Sequence, residues 1–286
     1  MRSIALAALT LFAAGAFGPS PALAWDDEGH RVVAEIATHY LTAPALGKVY
    51  TLLGEDKDTP VSNDVAAAAV WADKIQDRRV HNWHFANIDA TRPNIPAACF
   101  GQPALPAGEP ASMGPERDCV IDKIDQFADE LADPKMSRAE QIIALKFLLN
   151  LVADLHQPLR VADEGDSHGM KTAVVAKETT PGDLFTFWDK VLVIQMGVDP
   201  KAVAQKLIAG ISEYDRAAWI SGGPHLWALE SHQLGVDGAY GMVGRQDAKG
   251  NSILSDDDVA KAQKIAATQL SRAGVRLAYI LSLIHI

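Results

Sequence analysis

The feature that most constrains the fold is a long apolar segment with a clear helix start and a clear stop. Ser137-Arg138-Ala139-Glu140 has the sequence of a capping box, in which the serine side chain satisfies free backbone N–H groups of the first turn. The apolar run continues through Leu155, and Pro158 stops it because proline cannot continue a helix. The segment therefore predicts one long apolar helix.

Helical spacing recurs along most of the chain. Residues 29–41 place apolar side chains on one face, and Pro44 ends that run: Val32, Val33, Ile36 and Ala37. Further helices are predicted over residues 66–77 with Ser62 or Asn63 as cap, from Asp199-Pro200, and from Ser255 to about Leu281. Only residues 171–176 resemble a strand. We predict an all-α, single-domain multi-helix bundle with long loops at 89–115 and 162–183 and little or no strand.

The amino-terminal segment has the pattern of a secretory signal peptide. Arg2 gives the positive start, residues 4–17 form an apolar stretch too short to span a bilayer, and Ala22-Leu23-Ala24 is a cleavage signal. We expect residues 1–24 to be removed, residues 25–281 to form the helical domain and residues 282–286 to be a non-native tail. Cleavage would make Trp25 the new terminus, whose amine and carbonyl oxygen can chelate a metal beside His30.

Charge and cysteine content limit the function further. The chain has a net charge of −10, which becomes −11 without residues 1–24, because these contain one arginine and no acid. This balance argues against binding duplex DNA through a broad basic surface and suits a site whose carboxylates hold cations. Cys99 and Cys119 are the only cysteines. In an exported chain they predict a disulfide, with metal ligation as the less favoured alternative.

Polar residues with metal-binding chemistry lie on or beside the predicted helices. Asp73 is near the end of one helix, and His84 follows eleven residues later. Asn150 and Asp154 are four residues apart on the long helix and therefore share a face. Carboxylate and imidazole groups from several helices are a familiar way to hold zinc in a bundle core. Singly, each residue also fits a structural role.

These residues belong to motifs that resemble the S1/P1 nuclease family, zinc-dependent enzymes related in fold to bacterial phospholipase C. The resemblance covers nearly the whole chain after Trp25 and rests on these segments: Gly29-His30-Arg31-Val32-Val33-Ala34, Trp71-Ala72-Asp73, Trp83-His84-Phe85, Asp154-Leu155-His156-Gln157-Pro158-Leu159, Trp188-Asp189, Ala239-Tyr240-Gly241 and Ala273-Gly274-Val275-Arg276-Leu277. Each motif is weak alone, and together they are specific.

The resemblance implies a zinc site that hydrolyses phosphodiesters. It implies that Trp25, His30 and Asp154 hold one zinc, and that a second is held by the side chains of Asp73, His84, Asn150 and Asp154. Asp154 would then bridge the two ions. The resemblance also implies that Phe85 stacks on a base and that Asn87 reads a base edge, which suits single-stranded substrates. It further implies that the 3′ oxygen departs and 5′-phosphate ends remain.

Several positions depart from the family pattern. Asn150, Arg160 and Phe185 stand where the family carries histidine, Gln76 replaces a common lysine or arginine, and residues 167–170 replace an Arg-Gly-Gly-Asn run. Of three ligands for a third zinc, only Asp189 remains, so we predict that this zinc is absent. Two interpretations of Arg160 stay open: a fixed charge that pairs with Asp189 and contacts phosphate, or a plain salt bridge.

Two further histidines lie near these motifs. His168 is expected to be a solvated loop residue, with substitute ligation as the alternative. His156 lies next to the ligand positions in sequence, where it is placed to orient a ligand from outside the metal's own shell.

The motifs and the resemblance together predict a secreted or periplasmic zinc endonuclease that acts on single-stranded DNA or RNA with two zinc ions. Asp73, Asp154 and Arg160 are its expected catalytic residues. Two alternatives remain open: a catalytically degenerate relative that binds nucleotides or has no activity, and a phospholipase C-like phosphodiesterase. No membrane insertion and no protein partner are implied.

Overall fold

The computed structural model describes residues 25–57 and 64–284. The predicted signal peptide and its cleavage point after Ala24 lie outside this part of the chain, as do Ser62, Asn63 and residues 285–286. The described helices are α1 Asp27–Tyr40, α2 Ala43–Glu55, α3 Val65–Ala69, α4 Ile95–Ala98, α5 Val120–Ala132, α6 Arg138–Leu155, α7 Pro158–Val161, α8 Leu184–Thr186, α9 Leu192–Met196, α10 Pro200–Ile208, α11 Glu213–Trp219, α12 Pro224–Leu234 and α13 Asp256–Leu283.

Short turns and strands complete the described chain. There are 3-10 turns at Ala72–Lys74, Arg78–His84, Ala111–Met113 and Tyr240–Met242, and π-helical turns at Phe187–Val191 and Gly235–Ala239. The strands are β1 Ile88–Asp89, β2 Ala162–Asp163, β3 Ala173–Ala176, β4 Gly182–Asp183 and β5 Ser252–Leu254. β1 pairs with β2 in parallel, while β3 pairs with β4 antiparallel and with β5 in parallel. The predicted all-α class is confirmed, and the predicted strand at 171–176 contains β3.

Helix α6 is the central element of the bundle. It packs against α1, α2, α3, α5, α12 and α13, and every residue from Ala144 to Leu155 is buried. A helix surrounded in this way buries its polar residues too, which is why Asn150 and Asp154 reach the interior. The Ser137 side chain accepts a hydrogen bond from Glu140 N, as the cap prediction requires.

Helix α13 lies against α1 at close range. Gly274 allows this approach, because a Cβ at that position would lie 2.5 Å from Cβ of Ile36. The predicted cap at Ser255 is confirmed as a capping box with Asp258. α13 continues through Leu283, and Ser282 Oγ accepts a hydrogen bond from Thr42 N, so the first residues of the predicted tail extend the helix.

The predicted helix over residues 66–77 is wrong. α3 begins after the cap Asp64 and ends at Ala69, and a separate 3-10 turn follows at Ala72–Lys74. The Asn150 amide donates to the Ala69 carbonyl oxygen at 2.9 Å, which is the acceptor that a continuing α-helix would offer to Asp73 N–H. The helix therefore ends early, and the change of direction turns Asp73 toward α6.

The disulfide between Cys99 and Cys119 is present, as predicted. It links the residue after α4 to the residue before α5. Within the described residues, no helix has both the length and the apolar character needed to cross a membrane.

Candidate metal centre

Four side chains from separate elements meet at the inner face of α6. His30 comes from α1, Asp73 and His84 come from the two 3-10 turns after α3, and Asp154 comes from the last turn of α6. We call these four residues the metal cluster. The Nε2 atom of His30 lies 3.3 Å from Asp73 Oδ2 and 3.4 Å from Asp154 Oδ1. His84 Nδ1 lies 2.7 Å from Asp154 Oδ2 and 3.7 Å from Asp73 Oδ1.

The metal cluster is buried and contains polar atoms without a hydrogen bond. His30 and Asp154 are 0% exposed, yet neither His30 Nε2 nor Asp154 Oδ1 has a hydrogen-bonding partner within the described residues. Buried polar atoms without partners cost free energy, so a group that satisfies both would stabilise the site. Imidazole nitrogen and carboxylate oxygen are ligands that zinc accepts. The residues present therefore fit a divalent cation.

The pKa shifts within the metal cluster also indicate a cation site. Burial alone would disfavour the charged form of His30, but Asp73 and Asp154 outweigh it and raise the pKa of His30 to about 9. Burial raises the pKa of Asp73 as well. For Asp154, burial is outweighed by Arg160 and the two histidines, which hold its pKa below the usual range. The carboxylates thus concentrate negative charge that a cation would neutralise.

Asn150 fixes the position of Asp73. Its Nδ2 donates to Asp73 Oδ2 at 2.8 Å as well as to the Ala69 carbonyl oxygen, while Oδ1 is buried without a hydrogen bond. The structure brings Asn150 to the metal cluster, as the sequence predicts. Ligation through Oδ1 stays a prediction.

Trp25 lies beside the first turn of α1. Its side chain is fully buried, and its Cβ lies 2.6 Å from the point that a Cβ on Gly29 would occupy. The next residue, Asp26, donates its backbone N–H to the Asp189 carbonyl oxygen at 3.1 Å. The backbone of Trp25 is thereby held between α1 and the π-helical turn that carries Asp189.

The predicted third metal position is lined by an aromatic ring and a guanidinium group. Phe185 is fully buried, and the guanidinium carbon of Arg160 lies 5.2 Å from the centre of its ring. Burial raises the pKa of Asp189 to about 8, although Arg160 and His30 oppose the shift. Asp189 accepts a long hydrogen bond of 3.5 Å from Gln157, a contact that the sequence did not predict. Pairing of Arg160 with Asp189 stays a prediction.

Phe85 is largely covered. The Arg160 guanidinium lies over its ring at 4.1 Å from the centroid, and the His168 ring lies 4.8 Å away, which leaves Phe85 6% exposed. His168 is itself 7% exposed, so the expected solvated loop histidine is wrong. The loop turns inward at this point, so the His168 ring contacts Phe85 and the Leu159 backbone instead of solvent.

His168 and Asn87 form a defined pair. His168 Nδ1 lies 2.8 Å from the Leu159 carbonyl oxygen, which can only accept, so Nδ1 carries the proton. Nε2 lies 2.7 Å from Asn87 Oδ1. Burial lowers the pKa of His168, which favours neutral imidazole, and a neutral ring needs the Asn87 amide turned so that its NH₂ group donates to Nε2. The carbonyl oxygen of the exposed Asn87 is then available as an acceptor.

His156 points away from the metal cluster. Its Nδ1 donates to the Val152 carbonyl oxygen, and its Nε2 accepts from the buried guanidinium of Arg276 at 2.9 Å. The interpretation that His156 orients a ligand through direct contact is therefore wrong. Instead, it anchors the end of α6 to α13, with Gln269 donating to its carbonyl oxygen. Only the tertiary structure reveals this role of Arg276.

A cavity of about 840 Å³ opens beside the metal cluster. Four of its polar and aromatic lining side chains are buried, and we call this part of the cavity its inner end: Asp73, His84, Phe85 and Arg160. The outer walls come mainly from the segment between the two 3-10 turns and include these residues: Lys74, Ile75, Gln76, Asp77, Arg78, Val80, His81, Asn82 and Glu116. This volume is within the range of small-molecule sites.

Comparison with known proteins identifies the family. The family model described as S1/P1 nuclease matches residues 25–285. The chain belongs to the S1/P1 nuclease family. It is 25% identical to Endonuclease 2 of Arabidopsis thaliana over 280 residues, which span 90% of this chain and 89% of the relative. Nuclease P1 of Penicillium citrinum is 28% identical over 204 residues, covering 68% of this chain and 64% of that protein. Nuclease S1 of Aspergillus oryzae is 24% identical over 285 residues, covering 91% of each.

Proposed function

We propose that this S1/P1 family member is an exported zinc-dependent endonuclease that hydrolyses single-stranded DNA or RNA and leaves 5′-phosphate ends. The observation that carries the proposal is the buried metal cluster, with unpartnered His30 Nε2 and Asp154 Oδ1, beside a cavity of about 840 Å³. Export is supported by the signal-peptide pattern of residues 1–24 and by the disulfide, which an oxidising compartment favours.

Two zinc ions are proposed. After cleavage behind Ala24, the amine and carbonyl oxygen of Trp25 would hold one ion with His30 and Asp154. The side chains that would hold the second are Asp73, His84, Asn150 and Asp154. Bound zinc supplies Lewis acidity toward a phosphate oxygen and lowers the pKa of water. The absence of a third zinc is supported by Phe185, because an apolar ring offers no ligand atom.

Arg160 has a separate role in the proposal. Its guanidinium is 4.1 Å from the centre of the Phe85 ring and lines the inner end of the cavity, so its charge is fixed where a phosphate would approach. Its pairing with Asp189 would keep a positive charge at the third metal position without Lewis acidity. Bidentate contact with phosphate oxygens would neutralise charge that develops during hydrolysis.

Substrate binding involves Phe85 and Asn87. Because Arg160 and His168 cover most of the Phe85 ring, stacking of a base on Phe85 requires one of these two side chains to move. The acceptor oxygen of Asn87, oriented by His168, would face a base edge that donates a hydrogen bond.

A second candidate is a non-catalytic relative that binds nucleotides. It is favoured by the replacement of family histidines with Asn150, Arg160 and Phe185, since each change weakens or removes a ligand. In this case the cavity would bind nucleotides, and hydrolysis would be lost.

Elemental analysis and a digestion assay separate the two candidates. Protein processed to begin at Trp25 should contain two zinc ions and cleave single-stranded DNA, and Asp154→Asn should lose both metal and cleavage. The matched control is Asp237→Asn, an acid on the π-helical turn Gly235–Ala239, away from the metal cluster. Metal-free protein that leaves DNA intact but binds nucleotides would support the non-catalytic candidate and refute the first.

A further inference from the structure

The cavity extends beyond the residues proposed as metal ligands. Its inner end contains the proposed ligands Asp73 and His84, but its volume of about 840 Å³ extends outward along residues 74–82 to Glu116. A single phosphate group would fill only a small part of this space. The outer half therefore has room for a neighbouring nucleotide, and none of the residues proposed as metal ligands lies there.

Two of the four charged residues in the outer half, Lys74 and Asp77, already have an ion pair. Lys74 Nζ lies 3.1 Å from Asp27, and Asp77 holds Arg79 through contacts of 2.7 and 2.9 Å. Arg78 is different. Its side chain is exposed and lines the cavity, and within residues 25–57 and 64–284 its guanidinium has no hydrogen bond or ion pair.

A cation therefore lines both the buried and the exposed part of the cavity. Arg160 is buried, and Arg78 is exposed on the outer wall. The exposed acid Glu116 also lines the cavity. Because the chain as a whole carries a net charge of −10, an unpaired arginine on a cavity wall is a local exception to the overall charge. Such an arginine favours an anionic ligand.

Other residues that line the cavity suit contact with a base. Ile75 and Val80 contribute apolar surface to it, and the exposed His81 ring lies 5.7 Å from the Phe85 ring at an angle of 48°. Burial and the nearby Arg160 lower the pKa of His81, which favours an uncharged ring that can stack on a base.

We propose that the outer cavity is a second nucleotide subsite, in which Arg78 contacts the phosphate next to the one that is cleaved and His81 stacks on the base. This inference rests on the proposed function, since it assigns the polynucleotide segment beyond the scissile bond. It predicts that affinity depends on the length of the substrate. A dinucleotide with one phosphate cannot contact Arg78, whereas an oligonucleotide can and should bind more tightly.

The test measures binding separately from hydrolysis. Zinc-loaded protein beginning at Trp25 is titrated into a fluorescent thymidine oligonucleotide with phosphorothioate linkages that resist cleavage, at several salt concentrations. One phosphate contact on a single strand contributes about 0.7 to the slope of log K against log salt. Arg78→Ala should therefore reduce the slope by about 0.7 and weaken binding about eightfold at about 50 mM salt and about threefold at about 200 mM.

Two variants make the result specific. Arg78→Lys keeps the charge and should retain the salt slope. Arg245→Ala removes an exposed arginine that does not line the cavity and should leave both slope and affinity unchanged. Thermal unfolding of Arg78→Ala should match the parent, because the side chain is exposed. With cleavable DNA, Arg78→Ala should raise KM and leave kcat unchanged.

The outcomes distinguish the two claims. If Arg78→Ala binds the oligonucleotide like Arg245→Ala does, the subsite is refuted, even when the protein cleaves DNA. If the protein never cleaves DNA but Arg78→Ala lowers the salt slope by about 0.7, the subsite is supported and the proposed hydrolysis fails.

Discussion

Replacement of Gly29 by alanine tests whether Trp25 must sit against α1 for metal binding. An alanine Cβ would lie 2.6 Å from Cβ and 3.2 Å from Cγ of Trp25, and ordinary contact begins near 3.4 Å. Trp25 or the first turn of α1 must therefore move by about 1 Å. Zinc–nitrogen bonds are only about 2.0–2.1 Å long, so a shift of this size removes the terminal amine as a ligand.

Gly29→Ala should change both the free energy of unfolding and the zinc affinity. Alanine gains at most about 1 kcal/mol over glycine in a helix, while overpacking costs about 1–3 kcal/mol, so Gly29→Ala should lower the free energy of unfolding by up to about 2 kcal/mol. Zinc affinity should fall about 10–100-fold, as for changes that displace a ligand's support. Gly47→Ala is the matched control, since this glycine lies in α2 with nothing within 4 Å of the added Cβ. It should stabilise the protein slightly.

The assay is urea unfolding with and without a chelator, together with competitive zinc titration, on protein that begins at Trp25. The two alanine variants should differ in sign for stability, and only Gly29→Ala should lose zinc affinity. If Gly29→Ala is as stable as Gly47→Ala and binds zinc like the parent, the proposed role of Trp25 is wrong.

Three further changes have defined outcomes. Gly274→Ala should destabilise by up to about 2 kcal/mol in urea unfolding, because its Cβ would lie 2.5 Å from Cβ of Ile36 and the helix gain of alanine offsets only part of this overpacking. Stability equal to the parent would contradict the close packing of α1 and α13. Burial raises the pKa of Glu130 to about 7, so the protonated side chain stabilises the fold below about pH 4.5. This stabilisation, at most about 3 kcal/mol, is lost as pH rises through 7. Glu130→Gln cannot ionise and should therefore lose less stability between about pH 5 and pH 8. A pH profile parallel to the parent would refute this. Arg160→His combined with Phe185→His should raise the zinc content from two to three ions per chain by elemental analysis. An unchanged zinc content together with unchanged hydrolysis would show that the altered third position does not limit activity.

Local sequence signals predicted the helices well where one residue controls the helix start. Ser137, Asp199 and Ser255 each cap the helix that follows, and each cap depends only on neighbouring backbone groups. The helix over 66–77 failed for a different reason. Asn150, which is distant in sequence, takes the Ala69 carbonyl oxygen and ends α3. No pattern within residues 64–77 contains that information.

The candidate site was predictable in part. The spacing of Asn150 and Asp154 on one helix indicated their shared face, and the family motifs pointed to His30, Asp73 and His84, which the structure brings together. The burial of His168 and the contact of His156 with Arg276 could not be predicted, because both depend on how distant segments pack. The same holds for the cavity.

Anomalous diffraction at the zinc absorption edge, from crystals of protein that begins at Trp25, tests the central claim most directly. We expect two peaks about 3.5–4 Å apart, both in contact with Asp154, one near His30 and one near Asp73 and His84. We expect no peak at Asp189. Crystals of zinc-loaded, DNA-cleaving protein with no peak at the metal cluster would show that the zinc ions bind elsewhere.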